Sequence, residues 1–442
     1  MLYKQEKINN TKEKNTKENS INKDLPDSLQ HPLVYVTRDI ERAIGLRPRG
    51  NYFIISNNSP LAEEISNENT LLVSGKSLDT WEILKQEKTK RFLNNLNSPN
   101  LVVFKNTKQI QRKCDENNWN LLNPKPEIIN EVEQKISQVE WLDYLADLMP
   151  RFTIETCKNI DFQVKLKELS RDKNKKGFVL QFNRAHTGSG THFIESEKQL
   201  ESLQEKFPER PAKITEFISG DVFTLNCIAA KDKTLTSSPS YQITGVEPFT
   251  QNNFATIGND WGLAEKILDS QDKEKIKEMG KRIGTKLRDD NFVGLFGIDV
   301  IKSNTGEIFL IEINARQPAS TTFETKLQKT NEKSDKITTF SAHLKALLRQ
   351  KNNSEVQSIT NGAQIILRRS KNRDESDKKD QERKKAERIR DKLTKEGFGV
   401  IIYDNKASNS ELLRIMSNSS ICDKPNQFNK RGKKIKEIIK NT

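Results

Sequence analysis

The stretch GLFGIDVIKSNTGEIFLIEINARQPAS, residues 294–320, decides the fold of this chain. Two apolar runs flank the segment SNTG at residues 303–306, which is a turn signal between two strands. Both runs are typical of buried strands, yet Asp299, Glu312 and Asn314 stand within them. Carboxylate and amide groups lose hydration in such a place, so the sequence predicts a partner for these three side chains.

An antiparallel hairpin with its turn centred between Asn304 and Thr305 places Asp299 opposite Leu310. Because side chains alternate along a strand, one face of the hairpin then carries Asp299, Leu310, Glu312 and Asn314. In this register the two acids are diagonal neighbours, with α-carbons roughly 7–8 Å apart. That separation lets both carboxylates bind one cation.

Two acids on one strand face repel each other and need compensating positive charge. Carboxylate and amide oxygens are hard ligands that suit Mg²⁺, which also keeps water and substrate phosphates in its shell. We therefore predict Asp299, Glu312 and Asn314 as metal ligands, with Mn²⁺ as an alternative ion. The other interpretation is a solvent-facing edge hairpin whose acids lie in water.

The chain of 442 residues exceeds the size that one core usually serves, so two to four domains or lobes are expected. Hydrophobic residues make up 33% and charged residues 31%, which indicates compact lobes with polar extensions. Residues 1–30 are polar and are predicted to be disordered. They lack the apolar core of a signal peptide, and no run of about 20 apolar residues occurs. We expect a cytoplasmic protein without a membrane partner.

The four cysteines, Cys114, Cys157, Cys227 and Cys422, form no close pair, which argues against a disulfide framework or a cysteine metal cluster. The net charge is +14, and residues 424–442 contain seven Lys or Arg against one Glu. We interpret residues 423–442 as a basic solubilising tail. Nucleic-acid binding is the less favoured alternative, because Phe428 is the one aromatic residue in this tail.

Strands and helices alternate through most of the chain, which predicts the α/β fold class. Residues 31–128 contain HPLVYVTRDI, NYFIISNNS, NTLLVSG and NLVVFKN, which predict a small, partly parallel sheet. Residues 129–350 form the central domain. Residues 351–422 are predicted to be a small C-terminal α/β module, in which GVIIYD is a strand and SELLRIMS a helix.

The hairpin sequence resembles the metal-binding end of ATP-grasp enzymes such as biotin carboxylase, the D-alanine ligases and the large chain of carbamoyl phosphate synthetase. Those enzymes carry an acid thirteen residues before a Glu-x-Asn motif, as Asp299 precedes Glu312 here. Two of them also have an arginine two residues after the asparagine, which corresponds to Arg316. The resemblance covers roughly residues 35–370 and implies an ATP-grasp fold with an N-terminal pre-ATP-grasp domain.

Other segments resemble further ATP-grasp parts in the same order along the chain. The segment AHTGSGTHFI resembles the glycine loop that closes over the phosphates, with Gly188, Ser189, Gly190 and Thr191 as ligands. The segment ITEFISGDVF resembles the strand that links the two lobes, where Glu216, Phe217 and Ile218 would border the adenine. Lys135 corresponds to the first phosphate-contacting lysine of the family. Each segment taken alone also fits an ordinary turn, strand or surface helix.

Two positions depart from the family pattern. Gln181 stands where a second phosphate-binding lysine is usual, and Lys165 or Arg184 are candidate replacements. Val222 stands where a ribose-binding glutamate is common, and Asp221 beside it is the candidate stand-in.

The resemblance implies a carboxylate–amine ligase that uses ATP and Mg²⁺ and forms an acylphosphate and ADP. Arg316 would hold the substrate carboxylate or the acylphosphate, and His186 at the loop mouth would assist. Biotin carboxylase chemistry is less favoured than amide formation, because RQPAS departs from the carboxylase pattern after the arginine. An ATP-binding protein without catalysis is an alternative, which Gln181 supports. The partners are small-molecule substrates of unspecified identity, and a homodimer is compatible with the sequence.

Overall fold

This computed structural model describes residues 29–73, 77–169, 177–183, 190–252, 255–330, 333, 335–369, 376–403 and 410–442, without the side chains of 376–380. The predicted disorder of residues 1–28 concerns a segment outside the described residues. The same holds for four residues singled out from the sequence: Arg184, His186, Gly188 and Ser189. Within the described residues, no helix combines the length and the apolar character that crossing a bilayer requires.

The N-terminal sheet is parallel in every pairing, with strand order β3-β2-β1-β4-β5. Its strands are β1 (Leu33–Thr37), β2 (Tyr52–Asn57), β3 (Thr70–Val73), β4 (Asn100–Val103) and β5 (Asn120–Leu121). Its helices are α1 (Pro60–Ile65), α2 (Thr80–Lys85), α3 (Glu87–Asn94) and α4 (Lys108–Glu116). Strand β1 is buried along its whole length, with Tyr35 in one apolar core and Val34 and Val36 in another. Burial on both faces explains the continuous apolar runs of these strands.

A broken helix connects this sheet to the rest of the chain. The sequence predicts one helical run through residues 131–150, but α5 (Pro126–Glu133) ends before α6 (Ser137–Leu142) begins. The extended backbone of Gln134 separates the two helices, and a 3₁₀ segment, Asp143–Leu148, follows. Lys135 therefore lies in a helix junction and not on a helix surface.

A four-stranded antiparallel sheet follows, with order β6-β9-β7-β8. Its strands are β6 (Phe152–Thr156), β7 (Phe178–Phe182), β8 (Thr191–Ile194) and β9 (Pro211–Glu216). The helices α7 (Phe162–Leu169) and α8 (Glu197–Lys206) supply Phe162, Leu169 and Leu200 to an apolar core with Leu180 and Ile214. The opposite face of this sheet carries Gln181, because its neighbours Leu180 and Phe182 pack in that core.

The largest sheet has nine strands within the described residues, and all its pairings are antiparallel. Its strands are β10 (Gly220–Ala229), β11 (Thr234–Thr236), β12 (Ser240–Thr244), β13 (Thr256–Asp260), β14 (Gly294–Ser303), β15 (Ile308–Asn314), β18 (Ala363–Arg368), β19 (Gly399–Ile402) and β20 (Glu411–Ser417). The helices α9 (Trp261–Ile267) and α10 (Ser270–Asp289) precede β14. The sequence places Ile276, Met279, Ile283 and Leu287 at helical spacing, and α10 buries all four against the sheet. A Cβ atom at Gly280 would lie 2.7 Å from Cys227 Sγ, so this glycine lets α10 approach β10 closely.

Further elements lie between the hairpin and the C-terminal strands. They are α11 (Thr321–Thr330), β16 (Lys336–Ile337), α12 (Thr339–Leu347), β17 (Glu355–Val356) and α13 (Ser376–Lys395). Strands β18–β20 extend the nine-stranded sheet, so the C-terminal α/β segment shares a sheet with the hairpin. SELLRIMS is strand β20 and not the predicted helix. The run is buried on both sides of the sheet, and a short apolar run of this kind has no periodicity that separates strand from helix.

The C-terminal residues form structure packed on the main core, where the sequence predicts a basic tail. Strands β21 (Cys422–Lys424) and β22 (Gln427–Phe428) precede α14 (Lys430–Lys440). Ile435, Ile438 and Ile439 are buried in the apolar core of the nine-stranded sheet. The lysines of α14 occupy its outer face, so the charge run is the solvated side of an amphipathic helix.

Candidate active site

Strands β14 and β15 form the predicted hairpin, but with a different register. Asp299 pairs directly with Glu312, Val300 pairs with Leu310, and a bulge at Ile311 lies between these pairs. The bulge adds one residue to β15, which turns the expected diagonal pair of acids into a directly opposed pair.

The bulge also separates Leu310 from the acids. Leu310 is fully buried in the apolar core with Val300, whereas Ile311, Glu312 and Asn314 line a cavity on the other side. The expectation that Leu310 shares a face with Glu312 is therefore wrong. Strand alternation alone does not reveal the extra residue, because Ile311 and Leu310 have the same chemistry.

Each of the three predicted metal ligands has a polar partner. Thr224 Oγ1 on β10 donates to Asp299 Oδ1 at 2.8 Å, and Asn314 Nδ2 lies 3.4 Å from Asp299 Oδ2. Lys135 Nζ lies 2.8 Å from Glu312 Oε2. Arg316 Nη1 donates to Asn314 Oδ1 at 2.7 Å. The three predicted ligands, the predicted lysine and the predicted arginine thus lie in one cluster.

The two carboxyl groups differ in protonation behaviour although they face each other. Burial, together with repulsion by Glu312, raises the pKa of Asp299 well above its usual range. Burial opposes ionisation of Glu312 as well, but the ammonium of Lys135 and the guanidinium of Arg316 lower its pKa. Glu312 is the more stable anion of the pair, and added positive charge beside Asp299 would let both ionise.

This donor set fits Mg²⁺. Two opposed carboxylates and one amide oxygen are hard ligands, and the raised pKa of Asp299 indicates a need for positive charge at this point. Among the described residues, no group of three or more Asp, Glu, His or Cys side chains could hold a metal ion. The set therefore suits an ion that takes its other ligands from water and phosphate.

The cluster lines a cavity of about 540 Å³ between the four-stranded and nine-stranded sheets. Gln181, Gly190 and Thr191 reach it from the first sheet, and Gln181 Nε2 donates to Thr191 Oγ1 at 3.2 Å. Eight predicted site residues meet there: Lys135, Gln181, Gly190, Thr191, Asp299, Glu312, Asn314 and Arg316. A cleft bounded by two sheets and lined by cations and acids can enclose a polyanionic ligand.

The predicted adenine segment lies outside the lining of this cavity. The backbone N–H of Glu216 donates to the carbonyl of Arg151, and the ring of Phe217 lies 4.4 Å from that of Phe193 on β8. Glu216 and Ile218 do not line the cavity. Contacts of this segment with an adenine remain a proposal.

The structure does not support Asp221 as the replacement for a ribose-binding acid. Val222 and Thr224 line the cavity, so alternation along β10 directs Asp221 to the opposite face. Asp221 pairs with Lys302, whose ammonium donates to Asp272 on α10. Burial raises the pKa of Asp221 on that side of the sheet.

Lys165 lies on the helix-covered side of the four-stranded sheet, away from the cavity where a phosphate would bind. Its Nζ lies 2.5 Å from Glu155 Oε1 and 2.6 Å from Glu168 Oε2, so two carboxylates already neutralise it. Glu155 pairs with Ala212, which packs in the core on the helix-covered face. Lys165 therefore faces away from Gln181, and it does not replace the missing lysine.

A buried lysine absent from the sequence-based set lies beside Gln181. Lys213 on β9 pairs directly with Gln181 on β7 and is 1% exposed. Burial and the nearby ammonium of Lys135 lower the pKa of Lys213 to about 7, against the opposing effect of Glu312. The run AKITEF contained the signal, since a lysine in an otherwise apolar strand is as unusual as the acids of the hairpin.

The part of the cavity wall formed by β12, β13 and β18 is polar, and its residues are absent from the sequence-based set. Gln242, Asn259 and Gln364 project from β12, β13 and β18, and Gln364 Nε2 donates to Asn259 Oδ1 at 3.2 Å. Arg368 and Glu411 line the same cavity. Burial opposes ionisation of Glu411, but Arg414 and Arg42 hold its pKa at about 2. Amides separated by about 120 residues carry no recognisable pattern in the sequence.

The loop after the hairpin is held by the N-terminal sheet. Tyr35 Oη on β1 donates to Gln317 Oε1 at 2.7 Å, and Gln317 Nε2 donates to the carbonyl of Arg42 at 2.8 Å. Both Tyr35 and Gln317 are buried. Because Gln317 follows Arg316, these bonds position the arginine of the site from a different sheet.

Residues 132–320 match the family model of the ATP-grasp domain, and this range includes the hairpin, the helix junction and the four-stranded sheet. The protein has an ATP-grasp fold. The resemblance of the hairpin to ATP-grasp enzymes is thereby confirmed, as is the mixed α/β class. A comparison with curated protein sequences finds no match to this chain.

Solved structures share this ATP-grasp architecture at low identity. N5-carboxyaminoimidazole synthase from Aspergillus clavatus, in complex with ADP and 5-aminoimidazole ribonucleotide, is 13% identical with a TM-score of 0.60, over 93% of this chain and 98% of its own. The Staphylococcus aureus synthetase complexed with ADP is 11% identical with a TM-score of 0.61, over 92% and 97%. The biotin carboxylase domain dimer of Hydrogenobacter thermophilus 2-oxoglutarate carboxylase is 10% identical with a TM-score of 0.58, over 87% and 85%.

Proposed function

We propose that this protein is an ATP- and Mg²⁺-dependent ligase that activates a carboxylate as an acylphosphate for attack by an amine. The observation that carries this proposal is the cluster of Asp299, Glu312, Lys135 and Arg316 at the cavity of an ATP-grasp domain. Opposed acids next to two cations suit the transfer of a phosphoryl group, in which negative charge develops on several oxygens.

Asp299, Glu312 and Asn314 would hold Mg²⁺, which in phosphoryl transfer neutralises charge on the phosphate oxygens. Lys135 would donate to the phosphates from the helix junction, and Gln181 and Thr191 from the four-stranded sheet. Gly190 would let the backbone approach the phosphates closely. Gly188, Ser189 and His186 complete the proposed set from outside the described residues, and Glu216, Phe217 and Ile218 would border the adenine.

Arg316 would orient the substrate carboxylate. Its Nη1 donates to Asn314 Oδ1, and its Nε lies 3.6 Å from Glu133 Oε1, so two neighbouring groups fix the guanidinium. A guanidinium held in this way can donate to a carboxylate through its remaining N–H groups. Arg316 would thus place the carboxylate beside the terminal phosphate.

The reaction follows in two steps. A carboxylate oxygen attacks the γ-phosphorus, the bond from this phosphorus to the bridging oxygen breaks, and ADP leaves with the electron pair. The nitrogen of the amine then attacks the acyl carbon, phosphate departs, and the amine loses one proton. The cations of the cavity stabilise the phosphoryl oxygens in the first step and the departing phosphate in the second.

Two types of carboxylate are candidates for the acid substrate. The Hydrogenobacter domain was solved with MgADP and bicarbonate, and the Aspergillus synthase with ADP and 5-aminoimidazole ribonucleotide. Bicarbonate is therefore one candidate, and a small organic carboxylate is the other. The polar wall formed by Gln242, Asn259, Gln364, Arg368 and Glu411 would receive the amine substrate.

The test is nucleotide turnover by purified protein with MgATP and separate pools of amino acids, small carboxylates, bicarbonate and amines. We expect ADP and phosphate only when the correct pool is present. Glu312→Gln should abolish this turnover, whereas Glu307→Gln should preserve it, because Glu307 is an exposed acid at the other end of the same hairpin.

Other products would contradict the proposal. AMP and pyrophosphate would indicate a different class of enzyme. Magnesium-dependent nucleotide binding with no turnover in any pool would favour the alternative, an ATP-binding protein without catalysis, which the presence of Gln181 instead of lysine supports. A homodimer is a further proposal that size-exclusion chromatography with light scattering would test.

A further inference from the structure

We infer that Lys213 forms an anion subsite in the cavity wall that binds the phosphates of the nucleotide together with Lys135. This inference rests on the proposed function, since it concerns the nucleotide used there. It adds a residue on β9, a strand that supplies no other predicted phosphate ligand.

Strand register places Lys213 on the cleft face of the four-stranded sheet. Directly opposed residues of an antiparallel pair share a face, and Lys213 pairs with Gln181, which lines the cavity. On the adjacent strand Gln181 pairs with Thr191, which lines the cavity as well. The neighbours of Lys213 along β9, Ala212 and Ile214, pack into the apolar core on the opposite face. The row Lys213–Gln181–Thr191 therefore shares one sheet face, where Gln181 and Thr191 line the cavity and Lys213 is buried directly beside Gln181.

The charge of Lys213 lacks a close counter-ion. Among the described residues, no carboxylate lies within 4.0 Å of its Nζ, although the side chain is only 1% exposed. By contrast, Lys135 has Glu312 at 2.8 Å, and Lys165 has two glutamates. A buried ammonium without a partner is destabilising, so such a residue is usually explained by a ligand.

The surroundings indicate an anion of high charge. The ammonium of Lys135 and the carboxylate of Glu312 both act on Lys213, which places the three groups in one charge cluster. Lys135, Arg316 and Lys213 supply three basic groups, against the two carboxyl groups of Asp299 and Glu312. A nucleotide polyphosphate would neutralise this excess, whereas adenosine would not.

The neutral side chain of Gln181 is compatible with a positive charge on Lys213, its direct neighbour on β9. A glutamine at this position donates a hydrogen bond but supplies no charge, and its Nε2 is directed to Thr191. A lysine at both positions of the directly opposed pair would place two ammonium groups side by side, which is destabilising. Lys213 thus provides the charge, and Gln181 provides a neutral neighbour.

The test compares binding of ADP, ATP and adenosine, each with Mg²⁺, by isothermal titration calorimetry. The variants are Lys213→Met, Lys213→Gln and the double variant Lys213→Met with Gln181→Lys. Lys206→Met, on the exposed surface of α8, is the matched control. We expect both Lys213 variants to lose roughly tenfold to a hundredfold in affinity for ADP and ATP, with adenosine binding unchanged. The double variant should recover most of the loss.

Thermal unfolding without nucleotide separates a ligand-binding role from a structural one. Removal of a buried, unpaired ammonium should leave the melting temperature unchanged or raise it, whereas a structural lysine would lower it. Unchanged ADP affinity in both variants would overturn the inference alone. A parallel loss of adenosine and ADP binding, or a lower melting temperature in both variants, would also overturn it. A wild-type protein that binds neither ADP nor ATP would overturn the proposed function as well.

Discussion

The ammonium of Lys135 lies 2.8 Å from the carboxylate of Glu312, so the junction between α5 and α6 is joined directly to the hairpin of β14 and β15. The two residues are 177 positions apart in the chain. The lysine holds the pKa of Glu312 low although burial would raise it. This ion pair therefore keeps one of two opposed acids ionised.

We expect Lys135→Ala to weaken binding of MgATP by roughly tenfold to a hundredfold, because a charge-assisted hydrogen bond to phosphate is lost. Turnover should fall at least as much, since the pKa of Glu312 rises without the lysine. Calorimetry and ADP release would measure the two effects. Lys436→Ala is the control, because no residue of α14 lines the cavity. Equal nucleotide affinity in both variants would contradict a phosphate role for Lys135.

Arg316→Lys should separate substrate orientation from nucleotide binding. Lysine keeps the charge but cannot bond Asn314 and a carboxylate through one planar fork. We expect kcat/KM for the carboxylate to fall about tenfold or more, with the affinity for ADP changed less than about threefold. Steady-state kinetics and calorimetry would measure this split. A matching loss in ADP affinity would place Arg316 at the nucleotide instead.

We expect Tyr35→Phe to lower turnover although Tyr35 does not line the cavity. The variant removes the hydroxyl that donates to Gln317 Oε1 and leaves that buried acceptor without this bond. The expected cost is about 1–3 kcal/mol of unfolding free energy, with a several-fold lower kcat because the backbone next to Arg316 is less well held. Unchanged kcat beside a measurable loss of stability would show that the contact is structural only.

His343 should make the stability of the protein depend on pH. Burial lowers the pKa of His343 to about 3, and its Nδ1 accepts a hydrogen bond from the backbone N–H of Leu295. In the unfolded chain the imidazole titrates near pH ~6.5, so the unfolded state binds the extra proton between these two values. Stability is therefore full above about pH 6.5 and is lost as the pH falls toward 3. Between pH ~7 and ~5 this one group should remove about 2 kcal/mol.

Urea unfolding of the wild type and His343→Gln at both pH values would measure this effect. The variant should lose less unfolding free energy between the two pH values than the wild type, whatever its stability at neutral pH. Identical pH dependence in the two proteins would show that His343 does not titrate differently in the folded and unfolded states.

Ile435→Ala should destabilise the whole protein, because the C-terminal helix α14 packs on the main core. Ile435 is 1% exposed, and truncation of such a side chain costs about 2–5 kcal/mol. Lys433→Ala on the exposed face of the same helix should change the free energy of unfolding by less than about 0.5 kcal/mol. Equal stability of the two variants, measured by urea unfolding, would restore the interpretation of residues 423–442 as a dispensable tail.

Much of the candidate site was predictable because its signals are local. Asp299, Glu312 and Asn314 stand in apolar strands beside a turn signal, and Arg316 follows two residues later. The apolar residues of α10 recur with the period of a helix, so the buried face of this helix was also predictable from the sequence. The strand identity of SELLRIMS was not predictable, because the run is buried on both sides of the sheet and so has no alternation.

The sequence by itself determined which residue types stand together at the hairpin and the order of strands and helices along the 442-residue chain. Only the tertiary structure decided that Asp299 faces Glu312 directly, because the bulge at Ile311 depends on pairing between strands. It also decided that Lys213 is buried beside Gln181 and that α14 packs on the core. Each of these depends on contacts between residues distant in sequence, and such contacts leave no periodic pattern in the chain.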